Sequence, residues 1–207
     1  MNFKLKIFAS VLVAAALWFV LFSPFTALYV PFWTGMVVAD IVLITLTVLI
    51  DGSWTRRIVF SWKNLLLGVI IAAVLWGVFF VGDKLSQLMF SFARPQVDSI
   101  YGMKDESDLW RIGISLFLLI GPVEEIFWRG FVQKNLSDFY SDNVGFILTL
   151  LFYTAIHIPS GNFMLIMAAM VAGGFWGLIY RIWPQSFTAL VVSHALWDLA
   201  AFVLFPI

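Results

Sequence analysis

Seven ionisable side chains lie inside stretches that are otherwise apolar: Asp40, Glu124, Glu125, Arg129, Asp198 and the only two histidines of the chain, His157 and His194. A charge at the centre of a bilayer costs ~2.5–3.5 kcal/mol on insertion scales, so such groups pair inside a helix bundle and mark a pathway or a reaction centre. Three of them fall in the string Gly121-Pro122-Val123-Glu124-Glu125-Ile126-Phe127-Trp128-Arg129-Gly130. Glu125 and Arg129 are four residues apart, which sets them on one helical face as a salt bridge. Glu124 lies about 100° around the helix and is left free for proton transfer. Pro122 removes a backbone hydrogen bond and kinks the helix, so that its second half starts near Glu124 with the positive dipole end facing the carboxylates.

Two further strings carry the histidines. Tyr153-Thr154-Ala155-Ile156-His157 places an aromatic ring one turn before an imidazole, and His194-Ala195-Leu196-Trp197-Asp198 sets imidazole and carboxylate on one face. The second pair can orient each other, bind a metal or hydrogen-bond a substrate. Counted from a loop at 137–142, Glu124 and His157 each lie ~20 Å deep, and from Pro184 His194 and Asp198 lie ~15 and ~21 Å deep, at 1.5 Å per residue. A structural bridge alone would explain Glu125 and Arg129. It would not explain why all four other groups reach one layer.

The elements that position these groups follow from composition. Of 207 residues 62% are hydrophobic and 12% charged, against about 25% charged in a soluble domain. Apolar segments at about 7–25, 31–50, 65–82, 110–133, 143–158, 163–180 and 186–205 predict an all-α, polytopic membrane bundle of about seven helices. The whole chain, 1–207, reads as one membrane-embedded domain, with the motif region at 121–198. Lys4 and Lys6 precede the apolar run Ile7 to Phe22, and no small-x-small cleavage site follows, so the N-terminus reads as a retained anchor.

Lys84 to Phe92 is expected to form a separate amphipathic helix in the interface, and Arg94 to Asp108 a long polar loop. An N-terminus in the cytoplasm puts seven basic residues inside (Lys4, Lys6, Arg56, Arg57, Lys63, Lys134, Arg181) and four outside (Lys84, Arg94, Lys104, Arg111), the bias that the positive-inside rule asks for. Ala169, Gly173 and Gly177 form a small-residue face suited to close helix packing. Asp40, alone in the second helix, is expected to be a structural partner.

Composition also excludes functions. Twelve basic residues balance twelve acidic ones and form no stripe, so nucleic acid is not a partner. With no cysteine there is no disulfide, thiolate metal site or cysteine nucleophile. His-Glu-x-x-His, Gly-x-Gly-Asp and Gly-x-Ser-Gly strings are absent, and Gly113-Ile114-Ser115 is followed by leucine.

The ordered triple Glu-Glu-x-x-x-Arg, aromatic-x-x-x-His and His-x-x-x-Asp resembles the CAAX-protease and bacteriocin-processing family (CPBP, Abi), to which the Ras-converting intramembrane endoprotease belongs. The resemblance implies helices around a water-filled cavity and cleavage of peptide bonds in peptides or prenylated proteins. It implies that Glu124 with His157 activates water, that Glu125 and Arg129 hold Glu124 in place, and that His194 and Asp198 stabilise the oxyanion. Tyr153 stands where phenylalanine is usual and adds a hydroxyl that needs a partner. Asp198 stands where eukaryotic members carry asparagine. It must be protonated to donate, or act by orienting His194.

The partners expected are a peptide or membrane-protein substrate and the lipid bilayer, with no cofactor required. A zinc site built from Glu124, His157, His194 and Asp198 is the nearest rival mechanism. Rivals of another class are a proton-coupled transporter and a non-enzymatic bacteriocin-immunity protein of the same fold. A short chain without appended domains points to a bacterial cell membrane.

Overall fold

The computed structural model describes residues 2–104 and 108–207, and every regular element among them is helical. In chain order these are α1 (Phe3–Phe22), α2 (Phe32–Ile50), α3 (Trp62–Met89), α4 (Ala93–Tyr101), a continuous helical run α5 (109–139), α6 (Asp142–Ala155), α7 (Phe163–Ile182) and α8 (Phe187–Leu199). Six helices are long and apolar enough to cross a membrane. α5 is the further long run and carries Glu124, Glu125 and Arg129.

Local chemistry sets the ends. Side chains of Asn2, Ser61, Ser141 and Asn162 accept hydrogen bonds from backbone N–H groups in the first turns of α1, α3, α6 and α7, satisfying donors that a helix start leaves orphaned. Gly161, at φ +61°, makes the left-handed turn between α6 and α7, a conformation that a side chain resists.

Two expectations are corrected. The segment from Lys84 is no separate interfacial helix, because α3 runs on to Met89. Asp83, just beyond the apolar segment 65–82, accepts from Gln87 one turn on at 2.5 Å and pairs with Lys84 at 3.3 Å and with Arg94 at 3.7 Å. Nor is the stretch from Arg94 a loop: α4 occupies Ala93–Tyr101, with Arg94 and Asp98 paired at 2.6 Å one turn apart. Gln96 joins α4 to α7, its side chain accepting from the Met164 N–H and its carbonyl from Asn162. The end of the expected loop, 105–107, lies outside the described residues.

Two packed layers meet at the site. Trp18, Leu43, Phe127, Trp128 and Phe131 centre one, joining α1, α2, α5 and α6. Ile71, Leu75, Trp176 and Leu190 centre the other, joining α3, α7 and α8. In lipid the tails are as apolar as leucine, so close packing and buried polar contacts, not water exclusion, hold such helices together. The small-residue face of α7 shows this: Gly173 lies against the Tyr153 ring and Gly177 against Phe146, while their carbonyls accept from Arg129 at 3.0 Å and Gln133 at 2.8 Å.

α5 alternates between α and π geometry, with π segments at Leu116–Ile120 and Ile126–Gln133. The N–H of Gly121 reaches back five residues to the Leu116 carbonyl, so the helix widens just before the proline that has no N–H to give.

Polar contacts define the two ends of the bundle. Lys4 lies over Phe139 and Tyr140, Asn135 bonds Asp51, and Arg181 bonds Asn143 at one end. Trp33 bonds Met103, Asn162 bonds Gln96, and Arg94 bonds Ile207 at the other. The first end holds the basic-rich set of loops, so the positive-inside rule makes it the end expected to face the cytoplasm. Single cysteines at Asn2 and Ser91 should therefore react with a membrane-impermeant maleimide from opposite faces of sealed vesicles. Reaction of both from one face would overturn this arrangement.

Candidate active site

Glu124, Tyr153, His157, His194 and Asp198 line one cavity of about 130 Å³ between the helices, with Trp18 and Trp176 in its wall. All seven side chains belong to buried residues. The structure thus brings together four groups from α5, α8 and the turn that follows α6.

The two adjacent glutamates point to different partners. Glu124 accepts a hydrogen bond from the Tyr153 hydroxyl at 3.0 Å, so the hydroxyl that departs from the usual phenylalanine has found its acceptor. Among the described residues Glu124 forms no ion pair. Glu125 sits behind the cavity wall and is fully buried. One of its oxygens, Oε1, meets both Arg129 Nη1 at 2.9 Å and His194 Nδ1 at 3.0 Å. Arg129 is held in turn by the Gly173 carbonyl and lies 5.1 Å from the centre of the Tyr153 ring and 5.7 Å from that of Trp176. The salt bridge expected from i,i+4 spacing is present, and it anchors His194 of α8 as well as its own helix.

Each imidazole has a definite orientation. α6 ends at Ala155, and the His157 N–H bonds the Thr154 carbonyl, which leaves the Tyr153 carbonyl to accept from Nδ1 of His157 at 2.8 Å. With the proton on Nδ1, Nε2 is an acceptor. It receives the indole N–H of Trp18 at 3.3 Å. His194 stacks on Trp176 with centroids 3.9 Å apart and turns Nε2 towards Asp198 Oδ1 at 3.6 Å. Trp176 is itself fixed by donating to Ser193 at 3.1 Å.

Gly121 lets α8 come this close. A Cβ there would lie 2.8 Å from the backbone nitrogen of Ala195 and 3.1 Å from Asp198 Oδ2, so any side chain pushes His194 and Asp198 away from α5.

Two residues of the cavity wall were missed in the sequence. Trp18 and Trp176 lie in the cavity wall, and nothing in the sequence sets them apart from Trp76 and Trp128, which also lie within apolar segments. Asp40, expected to pair structurally, is fully buried with neither carboxylate oxygen hydrogen-bonded among the described residues. No group of three or more His, Asp or Glu side chains among the described residues is arranged to hold a metal ion.

The fold and cavity define a polytopic helical membrane protein with a buried carboxylate–histidine centre. Residues 106–200 match the family model of the type II CAAX prenyl endopeptidases, Rce1-like. Through this segment the chain is similar to the CAAX-protease and bacteriocin-processing family. The match takes in every motif residue from Glu124 to Asp198 and leaves Trp18 and Asp40 outside it. No curated protein and no solved structure matches the chain.

Breaking a buried pair from one side leaves the other charge uncompensated, at a cost of ~3–5 kcal/mol. Glu125→Gln and Arg129→Ala should each lower the melting temperature in detergent, measured by intrinsic fluorescence, and Gly121→Val should do so through the clash with Ala195. Unchanged melting in both charge variants would remove the pair from the structural role assigned to it.

Proposed function

We propose that this protein is an intramembrane endopeptidase in which Glu124 activates water. The observation that carries the reading is the division of labour between the two glutamates: one is neutralised by Arg129, while the other faces the cavity beside two imidazoles with no cation bound to it. Water in the cavity donates one hydrogen to Glu124 and the other to Nε2 of His157. Glu124 takes its proton as the water oxygen bonds to the scissile carbonyl carbon, and the carbonyl electrons move onto oxygen. Collapse of that intermediate breaks the C–N bond, and Glu124 returns the proton to the departing amine. A site shielded from bulk water suits the step, since fixed hydrogen-bond donors there act in a low dielectric.

His194 is the donor best placed for the oxyanion. Carrying a proton on each nitrogen, it gives Nδ1–H to Glu125 and presents Nε2–H towards the cavity, and the carboxylates of Glu125 and Asp198 balance its charge. Asp198 then acts by orienting His194. Substrate peptide and its flanking segment come from the membrane or its surface, and the cell is a bacterial one in this reading. The match of residues 106–200 to the CAAX prenyl endopeptidases makes proteolysis the chemistry to test first.

Purified Glu124→Gln protein should fold and insert normally and cleave no peptide, as judged by mass spectrometry of membrane peptides; full activity would sink the mechanism. Loss of an oxyanion donor typically costs ~10²–10³ in turnover, so His194→Ala should fall at least that far. Asp198→Asn keeps a polar acceptor of the same size facing Nε2 of His194, and most activity should survive both that change and chelator. Activity lost in Asp198→Asn and restored by added zinc would place the chemistry on a metal.

A further inference from the structure

We propose that Trp18, in α1, is a positioning residue of this centre: its indole N–H holds the Nε2 lone pair of His157 until the attacking water takes its place. The proposal rests on the water-activating reading above and concerns how that site is kept before substrate arrives.

The geometry leaves few alternatives for His157. Its Nδ1 faces the Tyr153 carbonyl at 2.8 Å, an acceptor, so Nδ1 must carry the proton. Nε2 is therefore the only basic nitrogen, and it is aimed at an indole N–H, a group that can donate but never accept. Both hydrogen-bonding positions of the ring are thus filled by protein. Water that donates to Nε2 must displace the Trp18 contact or wait for it to open. At 3.3 Å this bond is at the long end for N–H donors, which suits a contact that has to be exchanged.

α1 is built to deliver this one group. Trp18 is fully buried, with its ring edge-on to His157 at 6.3 Å, and Phe22, one turn on, packs on the same imidazole at 5.6 Å. Trp18 and Phe22 also line the cavity. A tryptophan needed only to fill space would have no requirement to end its N–H on the one lone pair that the water needs. α1 lies outside the family-matched segment, so this contact is a contribution of the N-terminal part of the chain to a centre otherwise built from its C-terminal part.

Diethyl pyrocarbonate tests the contact without relying on cleavage, because it reacts with an unprotonated imidazole nitrogen and the chain has only two histidines. Modification at each is read by mass spectrometry of the intact, detergent-solubilised protein after digestion. Trp18→Phe keeps a ring and removes the donor. Losing a bond of ordinary net strength should speed carbethoxylation of His157 about five- to tenfold, with His194, held by Glu125, unchanged. An unchanged His157 rate in a folded Trp18→Phe protein overturns the proposal.

Should that variant fail to fold, the ¹⁵N resonances of the unmodified protein decide the matter. Expected are a protonated Nδ1 and a non-protonated Nε2 shifted by a hydrogen bond; a protonated Nε2, or a free lone pair, overturns the proposal. Either result is independent of Glu124→Gln, whose loss of cleavage judges the peptidase reading alone.

Discussion

The arrangement of the centre depends on how one buried negative charge is compensated. Glu125 is out of contact with solvent, and removing such a charge from water costs several kcal/mol unless partners replace the lost hydration. Here Arg129 supplies the counter-charge from the same helix, and His194 supplies a donor from α8. Because both meet a single oxygen, the interaction fixes the relative height and rotation of α5 and α8. Arg129 extends the link to α7 through the Gly173 carbonyl. In a bilayer, where apolar contact between helices is scarcely better than contact with lipid, such a junction sets a register that packing alone would leave loose.

From this junction the cavity follows. With α8 fixed, His194 and Asp198 face α5 across Gly121, the position at which the two backbones touch. Widening of α5 into π geometry on both sides of Pro122 and the glutamates keeps the run helical while its register shifts. Such π segments are rare and concentrate at functional sites, where a continuous helix must aim side chains that regular spacing would misdirect.

Much of this was legible in the sequence for a simple reason: within one helix, spacing decides which side chains share a face. The strings Glu125-to-Arg129 and His194-to-Asp198 therefore gave their own geometry, and the distance of each group from its nearest loop gave its depth. What spacing could not give was contact between helices. Glu125 was expected to brace Glu124, yet its partner across the interface is His194, and nothing in either string records that choice. The Trp18 contact joins residues 139 positions apart. α4 was hidden for the opposite reason: it is short and polar, and its helicity comes from the Arg94–Asp98 pair and from docking on α7 rather than from an apolar face long enough to notice.

Two adjacent carboxylates in one buried helix turn would ordinarily be a liability, since each raises the cost of charging the other. The structure separates them by partner rather than by distance. Glu125 is committed to Arg129 and His194 and does not line the cavity, while Glu124 lines it and, among the described residues, is hydrogen-bonded by the Tyr153 hydroxyl alone. A neutral donor such as Tyr153 orients a carboxylate without cancelling its charge, which an arginine in the same place would do. Glu124 thereby keeps an acceptor for a proton, and the neighbouring charge that could have suppressed it is neutralised behind the wall. The Tyr153 hydroxyl, a departure from the family's usual phenylalanine, is in this light part of how Glu124 is aimed.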